Sequence, residues 1–168
     1  NVKCEESNYA STFVVPRKGD DHYAVKKLVQ VVKEFGWRRL ILKSDQENAI
    51  IRLKELVKQQ AGVDMIMEES PVGESQANGK IEVANQLVQG QIRTLVRALE
   101  SRYNTEIARD HPAVPWLIMH AAGTVNRYII DAEGKTAYER IKGRIFRREV
   151  AEFGEMAWYI RPGSKKDS

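Results

Sequence analysis

The chain has almost no cysteine, and that scarcity is the first constraint. Among its 168 residues there is one, Cys4, and three scattered histidines, His22, His111 and His120. One thiol excludes an internal disulfide, and one thiol with three dispersed imidazoles excludes a thiolate-rich zinc site. Long apolar runs are missing too. No segment approaches the ~20 apolar residues that a spanning helix requires, and the polar residues 1–8 hold no signal-peptide core. Together these absences predict an intracellular protein in a reducing compartment, nuclear or cytoplasmic, neither secreted nor in a membrane. Cys4 has no motif-placed base beside it, which predicts inert burial rather than nucleophilic work.

What is present suits one ordinary domain with a short extension. Hydrophobic residues make up 42% and charged residues 30%, enough to build a core and too balanced for wholesale disorder. The net charge is +4 with a pI near 9.2, a mild excess that decides little by itself. Its distribution says more: residues 135–148 carry Lys135, Arg140, Lys142, Arg144, Arg147 and Arg148 against the single acid Glu139. That density suits several phosphates, and equally a solvated helix face followed by a charged turn.

Periodicity and stop signals outline the elements. Residues 10–15 are β-branched and aromatic and end at Pro16, which predicts a strand. Asp20 and Asp21 open a helix written by Val25, Leu28, Val29, Val32 and Phe35 and closed by Gly36. Residues 40–42 form a short apolar run of buried-strand length. Ala49, Leu53, Leu56 and Val57 mark a helix ending near Gly62, and residues 63–67 a further strand. A loop with Ser70, Pro71 and Gly73 precedes a long helix from Gly79, and a last helix runs from Val114 to Tyr128. On that helix Trp116, Met119 and Tyr128 read as core, with His111 in a loop and His120 packed or capping. Strands alternating with helices predict an α/β layer.

Two carboxylates carry the chemistry. Asp45 follows the buried strand at its C-terminal end, where α/β sheets bind ligands. Glu82 lies one turn into the long helix. A strand-end Asp and a first-turn Glu are hard oxygen donors that suit Mg²⁺ or Mn²⁺. Each also has an ordinary role: Ser44 and Glu47 fit a capping box around the start of the next helix, and an acid in a first helical turn interacts well with the macrodipole.

The segment Ser44-Asp45 and the segment Gln76-Ala77-Asn78-Gly79-Lys80-Ile81-Glu82, with thirty-six residues between Asp45 and Glu82, resemble the second and third acids of the retroviral and retrotransposon integrase core. The loop pattern after Ser70-Pro71 is most similar to the copia-type elements. Ser7-Asn8-Tyr9, the stretch from Trp116 through Asn126-Arg127-Tyr128, and Thr136-Ala137-Tyr138-Glu139-Arg140 with Gly143-Arg144 resemble further family segments in the family's order. The likeness covers residues 7–144. It departs at Gln46-Glu47, where the family often carries Asn-Gly.

This resemblance implies an RNase H-like mixed sheet with helices packed on both faces, the first strand and its catalytic Asp falling before Asn1. Residues 1–144 would be a partial catalytic core. Residues 145–168, with Phe153-Gly154 and Trp158-Tyr159-Ile160, would begin a C-terminal β segment or tail. It implies DNA integration by metal-dependent phosphoryl transfer, 3′-end processing and strand transfer, with Asp45 and Glu82 as catalytic and metal-binding acids and two Mg²⁺ or Mn²⁺ ions in the complete site. Gln76, Asn78, Lys80, Arg93 and Arg97 would hold DNA, and homo-oligomers are expected. Without the first Asp, this fragment is expected to be inactive. A related transposase or nuclease would use the same acids. The alternative from another class is a non-catalytic nucleic-acid-binding or oligomerisation module on the same scaffold.

Overall fold

A computed structural model describes residues 1–71 and 79–158. The element order is β1 (Val2–Lys3), β2 (Ala10–Ser11), α1 (His22–Phe35), β3 (Arg39–Ser44), α2 (Asn48–Ala61), β4 (Asp64–Glu69), α3 (Gly79–Tyr103), α4 (Val114–Tyr128) and α5 (Ala137–Lys142). No described helix is long and apolar enough to cross a membrane.

The first half is built by local signals that agree with one another. Asp21 caps α1, its carboxylate accepting from the Tyr23 and Ala24 amides at 2.9 and 3.2 Å, and Gly36 closes the helix in the left-handed region at φ 74°. The apolar stripe of α1 supplies Val25, Leu28 and Val32, which join Val57 and Ala61 of α2 and Met65 of β4 in one core, with Leu40 and Leu42 of β3 packed against it. Through the α2 crossover, β3 and β4 pair in parallel, Arg39 opposite Asp64 through Ser44 opposite Glu69. Ion pairs at matched register, Arg39 with Asp64 at 3.2 Å and Lys43 with Glu68 at 3.0 Å, reinforce it. Lys54 of α2 is buried; its ammonium donates to the Glu68 carbonyl at 2.8 Å, satisfying a strand-end acceptor from inside the core.

The second half is a pair of helices. Val88 of α3 meets Ala121 and Ala122 of α4, flanked by Ile92, Leu95 and Val125. Small residues at 121 and 122 bring the helices close. Residues 152–155 lie back on this pair: Glu152 pairs with Arg102, Phe153 stacks at 5.3 Å on His120, and the Tyr103 hydroxyl donates to the Gly154 carbonyl. A Cβ on Gly154 would fall 2.5 Å from a Leu99 methyl, so only glycine fits there.

Several expectations are corrected. Strand pairing at residues 10–15 covers only Ala10 and Ser11. The described strands form two separate pairs, antiparallel β1–β2 and parallel β3–β4, rather than one mixed sheet. Helices do not cover both faces of β3–β4 either. With α1 and α2 on one face, Ile41 and Ile66 stand exposed on the other, because α3 and α4 pack on each other and on the β1–β2 hairpin. Trp116 is 66% exposed and Tyr128 52% exposed; the buried positions of α4 are Leu117, Ala121, Ala122 and Asn126, and Trp116 sits on a different face. Residues 145–158 contain no strand, and Tyr159 and Ile160 lie outside the described residues.

One buried side chain bonds across the two halves. Asn126, 1% exposed, accepts from the Ala10 amide at 2.9 Å and donates to the Ala10 carbonyl at 2.7 Å, as a neighbouring strand would. Asn126→Leu leaves a buried donor and a buried acceptor unpaired. Urea unfolding is expected to show a loss of about 2–4 kcal/mol, several times that of an exposed asparagine such as Asn48→Leu.

Candidate functional site

Asp45 is held at the carboxyl end of β3 by bonds on either side of it. The Ser70 amide donates to the Ser44 carbonyl at 2.9 Å, and the Gln46 amide nitrogen donates to the Ser70 carbonyl at 3.3 Å. The turn that carries the carboxylate is thus tied to the residue from which the loop toward α3 departs. Asp45 is exposed. The capping box does not form: α2 is capped at Glu47 with no side-chain bond, Glu47 pairs instead with Lys18, and the Ser44 hydroxyl donates to the Asp45 carbonyl at 3.0 Å.

Glu82 lies in the first turn of α3 and is exposed. At about 100° per residue, Gln86, Gln89, Arg93 and Arg97 fall within roughly 60° of it around the helix. They form one polar stripe, with both arginines exposed. Lys80 belongs elsewhere: it lies about 160° away around the helix and pairs with Glu5 at 2.7 Å. Gln76 and Asn78 lie outside the described residues. Of the five residues expected to contact DNA, the structure aligns Arg93 and Arg97 with Glu82 and directs Lys80 to an acid of the N-terminal turn.

Glu5 ties the start of α3 to the N-terminal turn. Its carboxyl is held below the usual range of 4.5, chiefly by the Lys80 hydrogen bond, with Lys43 and Lys3 adding to the field. Lys80, two residues before Glu82, bonds this acid directly, and Lys43 of β3, itself paired with Glu68, contributes only to the field around it. Lys3 also donates to the Lys80 carbonyl at 3.3 Å. Nothing in the local sequence marks Glu5, because its partner is 75 residues away.

Asp45 and Glu82 offer hard oxygens suited to Mg²⁺ or Mn²⁺, but among the described residues no group of three or more acids, histidines and cysteines could hold a metal ion. The donors fit in kind and fall short in number. His111 accepts from the Ala113 amide at 3.2 Å, His120 packs under Phe153, and Cys4 is buried, so none adds a ligand.

No family model matches the chain, and no curated protein matches it. The residues and their geometry carry the functional reading.

The Glu5 shift has a defined sign. Its folded pKa is below the unfolded value, so the pair's contribution is present above pH 4.5 and is lost as pH falls through the folded value. Lys80→Met is expected to return the Glu5 titration, followed by carboxyl NMR, toward 4.5. At neutral pH the exposed pair contributes less than about 1 kcal/mol.

Proposed function

We propose that this chain is part of an RNase H-like integrase core that acts on DNA by metal-dependent phosphoryl transfer, similar to that of copia-type retrotransposons. The observation that carries the reading is the placement of Asp45 at a strand end and Glu82 in a first helical turn, at the family's spacing.

In this reading Asp45 and Glu82 are ligands for Mg²⁺ or Mn²⁺, and the resemblance puts the remaining Asp on a strand that precedes Asn1. A bound cation pair would supply charge neutralisation at the reacting phosphate. The chain's own residues would do the positioning. Arg93 and Arg97, on the Glu82 stripe, would take backbone phosphates beyond the reacting one, fixing the register of the DNA without reading its bases. Action on DNA ends and target within a homo-oligomer, in the nucleus or cytoplasm, is part of the same proposal and rests on the resemblance alone.

A second reading is favoured by one observation, the lack of a three-ligand group among the described residues: a nucleic-acid-binding module that keeps the scaffold without catalysis. Thermal unfolding with Mn²⁺ separates the two. A ligand at ten times its Kd stabilises by about 1.4 kcal/mol, or roughly 3–6 °C in a chain of this size. Wild-type protein is expected to show that rise and the Asp45→Asn/Glu82→Gln variant to show none. No rise in wild type decides for the non-catalytic module, and an equal rise in both removes Asp45 and Glu82 as ligands.

A further inference from the structure

Beyond the acids, the segment after α5 forms a second feature at the same end of the molecule. Residues 143–148 have no regular structure, yet they are anchored by one ring. Phe146 meets Tyr138 edge-on at 5.2 Å and Tyr128 at 6.1 Å, and the Arg127 guanidinium lies over its face at 4.9 Å. Such contacts are worth on the order of 1 kcal/mol each, enough to hold a short segment in one place. The anchored segment and α5 line a half-open cleft of about 500 Å³, formed by Tyr138, Glu139 and residues 143–148.

The charge of this cleft is uncompensated. Residues 142–148 carry Lys142, Arg144, Arg147 and Arg148 and no acid, all four exposed, and among the described residues none of them forms an ion pair. The two acids that would offset them are already engaged. Asp131 and Glu133 are both held by Arg140, at 2.7 and 2.8 Å, and Asp131 also accepts from the Glu133 and Lys135 amides. Glu139 is the one acid on the lining. Arg140 thus keeps the neighbouring carboxylates away from the other cations, and the exposed Tyr128 adds an aromatic surface beside them.

We propose that residues 143–148, anchored through Phe146, form a binding site for the phosphodiester backbone of nucleic acid, separate from Asp45 and Glu82. Guanidinium forks match phosphate geometry bidentately, and several on a short fixed segment suit a polymer with a regular repeat of single negative charges. Exposed Tyr128 beside the cations offers a ring on which a base can stack. The location agrees: Asn126 binds Ala10, Ala10 pairs with Lys3, and Lys3 binds the Lys80 carbonyl, so the end of α4 lies level with the start of α3. The inference shares its partner with the function proposed above but needs neither acid nor metal.

The test is binding of the full chain to a fluorescent duplex oligonucleotide in EDTA, by anisotropy, over about 50–200 mM salt. Arg144→Ala/Arg147→Ala/Arg148→Ala is expected to lose about tenfold or more in affinity at low salt and to reduce the slope of log K on log salt by roughly 2–3. Lys26→Ala/Lys33→Ala/Lys58→Ala, which removes the same charge from exposed positions of α1 and α2, is expected to stay within threefold of wild type by the same salt-slope logic, about one contact or less. Phe146→Ala, with no change of charge, is expected to weaken binding severalfold, and Phe146→Tyr to restore it. Because the assay is run in EDTA, wild-type binding is expected with no divalent cation present, so the metal reading can fail while this one stands. Equal losses in the two triple variants would reduce the effect to net charge and overturn the proposal. So would tighter binding to vesicles of phosphatidylserine and phosphatidylcholine in equal parts than to the oligonucleotide.

Discussion

Two hydrogen bonds from one buried amide hold the molecule's parts in register. Strands β1 and β2 are two residues each, too short to be stable as an isolated hairpin. Asn126 supplies the missing neighbour, meeting the amide and carbonyl of Ala10 together. From that point a polar relay runs outward: Ala10 pairs with Lys3, Lys3 binds the Lys80 carbonyl, Lys80 binds Glu5, and Glu5 feels Lys43 at the end of β3. The two apolar cores would each form without this relay, since neither borrows a buried residue from the other. The relay ties the start of α3 to the N-terminal turn.

Lys54 does a related job inside the first core. Burying an ammonium is costly unless it is hydrogen-bonded, and this one is spent on the Glu68 carbonyl, two residues before Ser70. The methylene stem packs as a hydrophobe while the head satisfies a strand acceptor. The end of β4 is therefore fixed from within by Lys54 and across the sheet by Ser70 and Gln46. The turn that carries Asp45 is thereby tied to the end of β4.

The elements legible in the sequence were those specified by neighbours in the chain. Asp21 and Gly36 bound α1, Gly62 ends α2, and the periodic apolar positions mark α3 and α4, because caps and amphipathic stripes act within one or two turns. What was not legible depended on distant partners. Residues 12–15 have strand composition, but among the described residues no strand pairs with them. Trp116 keeps helical spacing with buried residues, yet its side faces away from α3. The capping box had the right letters and lost to Lys18, which draws off the Glu47 side chain. For the candidate site, the positions of Asp45 and Glu82 followed from elements that the sequence announces; Glu5, Lys80 and Phe146 take their roles from contacts that it does not.

The lysine and the arginines of α3 consequently differ in what they offer an anion. Arg93 and Arg97 stand exposed on the Glu82 stripe, and a phosphate can approach either with only water to displace. Lys80 is already neutralised: an incoming phosphate must first separate it from Glu5, and the carboxylate released would remain beside the new anion. The exposed pair is weak, at most about 1 kcal/mol, so the exchange is open, but its net gain is reduced by the repulsion left behind. Glu5 is retained more cheaply than lost, since Lys43 and Lys3 share its field. Lys80 therefore acts first as the strut that holds α3 against the N-terminal turn, and the free positive charge at this end of the fold is carried by Arg93, Arg97 and the arginines of residues 143–148.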